Sequence, residues 1–438
     1  MSVRCFGARG RRALRSLTGF AFPALALLLI GPSLGCDEEQ EGAPYFDGFV
    51  NVGVLHSRTG TMAISENTVA QAELMAIREI NAAGGLRLGD QRIAVVAIEE
   101  DGASDWPTFA RKAEKLIERD DVAIIFGGWT SASRKALLPV VEDHDHLLFY
   151  PIQYEGQECS RNIFYAGATP NQQVEPALGW LAENREKRWF LVGSDYVYPR
   201  TANAIVRAAA GSLGAEIVGE RYLPLGSREV DTVIEAISRH LPNGGVVINT
   251  LNGDTNVSFF KAMKLAGVDD RNGFTVMSFS AAEEEVAAIG PEYMEGTLSV
   301  WNFFHREDLP ETAAFAEAFQ EEHGLHRVPS APAVSAYSMV YLWAQAVERI
   351  GTTDTAQVRE ALVGTALDGP GGRVQIENNH HLSQAVLLGQ VKIDGTHEIL
   401  EEFGIVEPVA WSGLLEESRG DRCDWTLDRP DAGRFRDR

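Results

Sequence analysis

The feature that most constrains the fold is an alternation of strand-like and helix-like segments that occurs twice along the 438 residues. In the first series, β-branched apolar runs such as "FVNVGVLHS" and "VAIIFGG" alternate with segments of helical periodicity such as "SENTVAQAELMAIREINAAGG". A second series of the same kind begins after "GATPNQQ". This alternation is typical of parallel sheets covered by helices on both faces. A chain of this length also favours two domains over one. We therefore predict two similar α/β lobes in tandem.

The order of the segments predicts where each lobe begins and ends. The segment "TLSVWNFFHR" and the two helices after it are expected to return to the first lobe, and the late strands "RVQIENN", "AVLLGQVKID" and "HEILEEFG" to complete the second. The predicted organisation is a signal peptide at 1–35, an acidic tether at 36–48, a first lobe of 49–168 plus 302–360, a second lobe of 169–301 plus 361–412, and an irregular C-terminal tail at 413–438.

The amino terminus is typical of an export signal. A basic stretch up to Arg15 is followed by the apolar run "FAFPALALLLI", which is too short to cross a membrane comfortably, and then by "GPSLGC". Cys36 after a small residue is similar to a bacterial lipoprotein processing site, in which the cysteine becomes acylated. We expect a lipoprotein on the periplasmic face of the inner membrane. A periplasmic protein secreted without lipid and a retained anchor are the alternatives.

The charge of the chain restricts its partners. The net charge is −23, and the first 35 residues carry five Arg and no acid, so the chain without them is more negative still. Such a surface repels phosphate backbones and anionic lipids. Nucleic acid is therefore not expected as a partner, and contact with the membrane is expected only through the lipid anchor.

Cysteine and histidine positions give little sign of metal chemistry. Outside the signal and Cys36, only Cys159 and Cys423 remain, and in an exported protein they form either a disulfide or two free thiols. No Cys or His spacing typical of a metal site is present, and His380 and His381 are expected on the surface. We predict neither a metal nor a cofactor.

The loops that follow the apolar strands carry the candidate binding groups. Gly127 and Gly128 would let a ligand approach the backbone, and Ser131 or Ser133 could cap the next helix, whose free N–H groups suit an acceptor oxygen. The alternative is that both serines only cap and Trp129 only packs. The candidate ligand-binding residues from the two series are Trp129, Thr130, Ser131, Tyr150, Gln153, Tyr154, Tyr196, Tyr198, Asp254, Ser280 and Glu283.

The chemistry of these residues favours a small neutral solute. The predicted box has aromatic walls, hydroxyls, amides and one or two carboxylates but no Arg or Lys clamp, so anions, sugar phosphates and nucleotides fit badly. Urea or a short amide fits: Ser131 and a helix N–H would serve its carbonyl, and Glu283, Asp254 or a Tyr oxygen its N–H groups. Each unpaired buried polar group costs about 1–3 kcal/mol. Glu284 and Glu285 are expected to be a solvated helix start.

Enzymatic motifs are missing from the sequence. Ser131 has no G-x-S-x-G setting, no His falls in the cleft loops, and neither a P-loop nor a G-x-G-x-x-G occurs. We therefore predict a binding protein and not an enzyme. An intracellular amide sensor of the same fold is the other alternative, and the export signal argues against it.

Seven ordered motifs show a family resemblance that covers about residues 50–405. They are "MAISE", "DWPTFARKAEKL", "FGGWTSASRK", "LLFYPIQYEG", "DYVYPRTAN", "NGDTNVSFFK" and "NNHHLSQ". As a set they resemble the substrate-binding lipoproteins of urea ABC transporters, relatives of amide-sensing regulators and of branched-chain amino-acid receptors. The resemblance implies the type I periplasmic binding-protein fold, two Rossmann-like lobes with parallel-sheet cores joined by three crossovers, near 168–170, 298–302 and 360–370. It also implies urea or an amide as ligand and an ABC permease as partner. The residues to which it lends a ligand-binding role are Trp129, Ser131, Tyr150, Gln153, Tyr154, Tyr196, Asp254, Ser280 and Glu283. Cys159, Cys423 and the extended tail are not part of this family pattern.

Overall fold

The computed structural model describes residues 44–306, 309–324 and 327–436. The predicted signal peptide, Cys36 and the tether as far as residue 43 lie outside these residues. Within them, none of the helices combines the length and the apolar character that crossing a membrane requires.

The helices and strands of the described chain follow the predicted alternation. The first series contains β1 (Gly48–His56), α1 (Ala63–Ala82), β2 (Leu86–Leu88), β3 (Gln91–Asp101), α2 (Trp106–Glu118), β4 (Ile125–Gly127), α3 (Ser131–Asp143), β5 (Leu148–Tyr150) and β6 (Ile163–Tyr165). The second contains α4 (Val174–Asn184), β7 (Arg188–Ser194), α5 (Val197–Ala210), β8 (Glu216–Leu223), α6 (Asp231–His240), β9 (Gly245–Thr250), α7 (Thr255–Leu265), β10 (Phe274–Ser278), α8 (Glu283–Ile289), α9 (Pro291–Met294) and β11 (Leu298–Trp301). The remaining elements are α10 (Pro310–His323), α11 (Ala331–Ile350), α12 (Thr355–Leu362), β12 (Ala366–Gly369), β13 (Gly372–Ile376), β14 (Leu382–Val391) and β15 (His397–Val406).

These strands form two sheets, which confirms the predicted two-lobe α/β fold. The first sheet has the order β2-β3-β1-β4-β5-β6, and the second has the order β12-β13-β14-β11-β10-β9-β7-β8, with β15 paired to β14. The central strands of both sheets are parallel. Antiparallel strands are added at the edges, where β2 pairs with β3 and β14 pairs with β11 and β15. Short connections such as the one between β12 and β13 allow only antiparallel pairing, because a parallel pair needs a long crossover.

The chain passes three times between the two sheets. It leaves the first sheet after β6, returns after β11 to form α10 and α11, and enters the second sheet again at β12. Helix α11 packs on the first sheet, where the Trp343 ring lies edge-on to Phe126 at 5.9 Å. The segment "TLSVWNFFHR" does not itself return to the first lobe as predicted. Its first half is β11, which pairs with β10 and β14 in the second sheet.

The parallel strands bring their carboxyl ends to one edge of each sheet. Strands β4, β5 and β9 are buried along their whole length, because helices cover both faces of their sheets. The turn after β4 requires glycine: Gly127 has a φ of +144°, and a Cβ there would lie 2.0 Å from the carbonyl oxygen of Leu55. The close neighbour of Gly127 is therefore strand β1. This turn directs Trp129 and the start of α3 away from the sheet edge.

The C-terminal tail has little regular structure but is tied to the first lobe. Its one α- or 3₁₀-helical segment among the described residues is the turn Glu416–Ser418. A disulfide joins Cys159 to Cys423, which are 264 positions apart. The Trp425 N–H donates to the carbonyl of Asn378 at 2.9 Å, and Trp411 Nε1 donates to the carbonyl of Gly433 at 2.8 Å. The tail therefore packs over the loop that follows β5 and over the turn before β14.

Candidate ligand-binding site

The loop between β4 and α3 presents the hydroxyl of Ser131. Thr130, in an extended conformation, is the N-cap of α3, and its Oγ1 accepts from the Ser133 N–H at 3.0 Å. The prediction that Ser131 or Ser133 caps this helix is therefore wrong, because the helix begins one residue earlier than a serine cap would require. Ser131 is the first helical residue, and its hydroxyl donates to the carboxylate of Glu155.

A buried arginine lies directly behind Ser131. Arg134 is fully buried. Its Nη1 donates to Ser131 Oγ at 3.1 Å, its Nη2 to Glu155 at 3.1 Å and its Nε to Glu158 at 2.7 Å. The expectation that the site contains no Arg or Lys is therefore wrong. Sequence reasoning missed this cluster because Arg134 and Glu158 are 24 positions apart on different elements, and no local pattern indicates such a pairing.

The carboxylates around Arg134 neutralise its charge. Lys135 adds a second cation and contacts the other oxygen of Glu158 at 2.9 Å, so two cations face Glu155 and Glu158. Burial disfavours ionisation of Glu158, but the charges of Arg134 and Lys135 overcome it and lower its pKa to about 2. Burial likewise opposes the charge of Arg134, and Glu158 and Glu155 overcome it and raise the pKa of the guanidinium well above its usual value. Arg134 and Glu158 are therefore both ionised.

Loops of the second sheet meet this cluster from the opposite side. Gln153 Nε2 donates to the carbonyl of Phe279 at 2.9 Å, and the Tyr198 hydroxyl donates to the same oxygen at 3.1 Å. Trp129 Nε1 donates to Asn252 Oδ1 at 3.4 Å. Loops after β4 and β5 are thus hydrogen-bonded to loops after β9 and β10. The structure shows the two lobes closed on one another at this surface.

Tyrosine rings form the walls of the site. The Tyr150 hydroxyl donates to the carbonyl of Trp129, and the Arg134 guanidinium carbon lies 4.8 Å from the Tyr150 ring centroid. Tyr196 is only 7% exposed and lies 6.4 Å from the Trp106 ring and 6.4 Å from Tyr198. Burial, reinforced by Tyr150 and Tyr198, raises the pKa of Tyr196 well above its usual value. Tyr196 is therefore a neutral phenol at physiological pH.

Tyr154 and Ser280 have internal partners. The Tyr154 hydroxyl donates to the carbonyl of Glu158 at 2.9 Å, and its ring stacks on Tyr165 at 5.0 Å. Because the Arg134 guanidinium carbon lies 4.5 Å from the Tyr154 ring centroid, Tyr154 supports Arg134 from the first lobe. The Ser280 hydroxyl donates to the carbonyl of Leu251.

Asp254 and Glu283 form hydrogen bonds with residues outside the group of tyrosine rings. Asp254 is half-buried at the start of α7, and its N–H donates to the carbonyl of Thr61 at 3.2 Å. Glu283, at the start of α8, accepts from the His305 N–H at 3.1 Å. Glu155, and neither of these two carboxylates, is the acid that contacts Ser131.

The acidic start of α8 is buried, so the expectation that Glu284 and Glu285 are solvated is wrong. Glu284 is 7% exposed and Glu285 is fully buried, because α8 packs against the start of α1, where the Ser65 hydroxyl donates to Glu285. Burial raises the pKa of Glu283 to about 8 and that of Glu285 to about 7. These carboxyls hold protons near neutral pH.

A buried histidine sits between two carboxylates at the end of β1. His56 Nε2 lies 2.9 Å from Glu73, and its Nδ1 lies 3.4 Å from Glu66, which also accepts from the Ser57 N–H at 2.6 Å. Burial opposes the charge of His56, but Glu73 and Glu66 overcome it and raise its pKa from 6.5 to about 9. His56 is therefore an imidazolium at neutral pH.

We expect stability to fall as the pH rises from 7 to 9. The folded chain keeps the proton of His56 up to about pH 9, whereas the unfolded chain releases it near 6.5, and Glu283 also holds its proton longer when folded. The folded state then binds more protons, so the free energy of unfolding should decrease over this range, by about 2 kcal/mol from His56 alone and by a further contribution from Glu283. Differential scanning calorimetry at pH 7 and 9 measures the change. His56→Gln should flatten the dependence, and equal stability of the wild type at both pH values would contradict the assignment.

His380 and His381 are also buried, contrary to expectation. The His380 ring stacks on Phe164 at 4.2 Å, and His381 Nε2 lies 2.6 Å from the Tyr154 hydroxyl. The polar segment "NNHHLSQ" did not predict the burial of these two histidines, because their rings are covered by residues distant in sequence. Across the described ranges, no group of three or more His, Cys, Asp or Glu residues is arranged to hold a metal ion.

The fold and the site define a two-lobe solute-binding protein. The sequence profile of the periplasmic binding protein domain matches residues 50–417. The chain belongs to this family.

Solved structures with the same fold include ABC transporter solute-binding proteins. A Rhodopseudomonas palustris solute binding protein in complex with benzoate is 20% identical, with a TM-score of 0.70 and coverage of 82% of this chain and 98% of that chain. The branched-chain amino acid transporter substrate binding protein LivJ of Streptococcus pneumoniae, in complex with isoleucine, is 18% identical, with a TM-score of 0.68 and coverage of 82% and 100%.

Curated relatives match over different lengths. A leucine-, isoleucine-, valine-, threonine- and alanine-binding protein of Pseudomonas aeruginosa is 25% identical over 343 residues, 76% of this chain and 87% of that protein. A protein named limonene hydroxylase, from Geobacillus stearothermophilus, is 30% identical over 112 residues, 26% of this chain, and the chain spans only 21% of its length. The family is one of periplasmic binding proteins, and the structural relatives named here are solute-binding proteins of ABC transporters.

Proposed function

We propose that this protein captures urea between its two lobes and delivers it to the permease of an ABC transporter, with short aliphatic amides as the alternative ligands. One observation carries the proposal. All three nitrogens of the Arg134 guanidinium are engaged by Ser131, Glu155 and Glu158. A site whose cation is already neutralised by two carboxylates favours a ligand without net charge.

The polar groups at the lobe junction match the two ends of urea. Gln153 Oε1 is buried and has no hydrogen-bond partner within the described chain. Together with the carboxylate of Glu155 it offers acceptors for N–H groups. The first N–H groups of α3, which have no partner inside the helix, suit a carbonyl oxygen. Urea and primary amides carry both kinds of group in a small volume.

Ligands with a carboxylate suit the site less well. Benzoate and isoleucine, found in complexes of the structural relatives, each need a free cation or a cluster of free donors for their carboxylate. Here Glu155 would repel a second carboxylate, and the charge of Arg134 is already paired with Glu155 and Glu158. We therefore rank amino acids and aromatic acids below urea and amides.

Uptake requires the lobes to separate and close again. The hydrogen bonds from Trp129 to Asn252 and from Gln153 to Phe279 join the lobes and must open to admit a ligand. A ligand that satisfies groups on both sides shifts the population toward the closed form. The closed, liganded form is the species that we propose the permease recognises.

Calorimetric titration with urea, acetamide, leucine and benzoate tests the ligand. We expect saturable binding of urea, weaker binding of acetamide, and no heat from leucine or benzoate. Leucine or benzoate binding without any heat from urea would overturn the proposal.

Ser131→Ala leaves Glu155 and Arg134 each without one hydrogen bond. Because Glu155 is a proposed acceptor for urea, this change should weaken urea binding by about 1–3 kcal/mol. The matched control is Ser133→Ala on the same helix, whose hydroxyl donates to the carbonyl of Thr130 and not to the Arg134 cluster. Titration of both variants, with circular dichroism to check folding, gives the comparison. Equal urea affinity in Ser131→Ala and the wild type would remove Ser131 from the site.

We further propose that Cys36, outside the described residues, is acylated and anchors the protein at the periplasmic face of the membrane. The proposal is supported by the basic and apolar segments before it and by the small residue Gly35. Intact-mass measurement of the exported protein should show a lipid on an amino-terminal Cys36. A mature protein that begins elsewhere and stays in the aqueous phase of a detergent partition would contradict it.

A further inference from the structure

A cavity of about 480 Å³ lies between α1, α10, α11 and the turn after β12, and it shares no residue with the ligand-binding site. Its volume is in the range of small-molecule sites. The apolar part of its lining comes from Met75, Phe315, Tyr337, Tyr341, Leu367 and Pro370.

Aromatic rings form one wall of this cavity. The Phe315 and Tyr337 rings are edge-to-face with centroids 4.9 Å apart, and the Tyr337 and Tyr341 centroids are also 4.9 Å apart. Both tyrosine hydroxyls donate to Glu79 Oε2, that of Tyr341 at 2.7 Å. Burial and the bond to Glu79 raise the pKa of Tyr341 to about 12. These contacts hold the rings and the carboxylate in fixed positions.

The charge of the cavity has one sign. Three carboxylates line it, those of Glu79, Glu311 and Asp368, and no Lys, Arg or His is among its described lining residues. Arg373 pairs with Asp368 at 3.3 Å, and both of these side chains are largely exposed. An exposed pair of this kind is worth little. The cavity therefore attracts cations and repels the anions that a basic pocket would hold.

We propose that this cavity binds an organic ammonium ion, either a quaternary ammonium or an alkylated amine with a small apolar body. Such a cation contacts the faces of aromatic rings through cation–π attraction while its apolar part packs on Met75 and Leu367. Glu79, oriented by Tyr337 and Tyr341, lies beside the charge. An inorganic cation would gain nothing from the aromatic wall. The proposal does not depend on the identity of the solute bound between the lobes.

The test compares a cation with its neutral isostere. Choline and 3,3-dimethylbutan-1-ol have nearly the same shape and differ in charge, and both are titrated into the full chain by calorimetry. We expect choline to bind saturably and at least about fivefold more tightly than the alcohol. The absence of saturable choline binding, or equal affinity for the two probes, overturns the proposal.

Variants then locate the site. Glu79→Gln, which keeps an oxygen acceptor for both tyrosines, and the exposed Glu311→Gln should each weaken choline binding by about 2-fold to 30-fold. Glu317→Gln on the same helix as Glu311, outside the lining, is the matched control and should bind as the wild type does. If Glu79→Gln fails to fold, Glu311→Gln and Asp368→Asn decide. Unchanged affinity in the folded lining variants places choline elsewhere and overturns the assignment.

Discussion

Arg134→Met should lower the free energy of unfolding by about 3–5 kcal/mol, the cost of leaving buried charges without their partner. Glu155 and Glu158 are 1% and 7% exposed, and each accepts a hydrogen bond from the guanidinium. Glu158, whose pKa is about 2 beside Arg134 and Lys135, would keep only Lys135 as a partner once Arg134 is removed. Thermal unfolding by calorimetry is the suitable measurement, because urea as a denaturant would also be the proposed ligand.

Two comparisons separate this effect from a general loss of packing. Arg200→Met breaks an exposed pair with Asp195 and should cost much less, because an exposed pair of this kind contributes little to stability. Adding Glu155→Gln to Arg134→Met should restore part of the lost stability, because the carboxylate that paired with Arg134 is then gone. A loss below about 1 kcal/mol for Arg134→Met, or no recovery in the double variant, would show that the buried pair is not a coupled unit.

Replacing Cys159 and Cys423 together by Ser should lower the free energy of unfolding by about 2–5 kcal/mol. The bond joins positions 264 residues apart, so it removes many conformations from the unfolded chain. It also holds the tail against the first lobe, where Gly433 packs so closely on the carbonyl of Cys159 that a Cβ there would lie 2.8 Å from it. Calorimetry on the oxidised wild type and on the double variant measures the difference.

Limited proteolysis provides the matching control. In the oxidised protein the segment after Trp411 should resist cleavage, and in the Cys159→Ser, Cys423→Ser variant it should be cut before either lobe. A thiol assay on denatured, unreduced wild type should detect neither Cys159 nor Cys423. Two free thiols, or equal melting temperatures in the two proteins, would rule out a stabilising bond.

The sequence predicted the layers of the fold because periodicity is a local property. Long helices such as α1 and apolar strands such as β9 are visible as repeats of 3.6 and as apolar runs bounded by turn residues. The three-residue strands β2 and β6 were not predicted, because so short a segment exists only through its pairing with β3 or β5. The segment "TLSVWNFFHR" was assigned as a whole to the first lobe, although the predicted bound at residue 301 leaves β11 in the second, where it pairs.

The candidate site shows the same division between local and distant information. Trp129, Tyr150 and Gln153 could be found because they follow strands whose carboxyl ends share an edge. Glu155 carries a signal of its own, an acid within five residues of the end of a buried strand, but its importance depends on Arg134. Nothing local links Arg134 to Glu158, and a buried ion pair is invisible until the two elements are placed side by side.

The bond between Cys159 and Cys423 also imposes an order on assembly. Cys423 follows all fifteen strands of the described chain. Cys159, in the loop that bears Glu155 and Glu158, therefore cannot form its disulfide until both lobes have been synthesised. A product that ends between Val406 and Cys423 would contain all fifteen strands, but Cys159 would remain a free thiol. That thiol would mark unfinished molecules chemically, and a thiol-reactive reagent would separate them from complete ones.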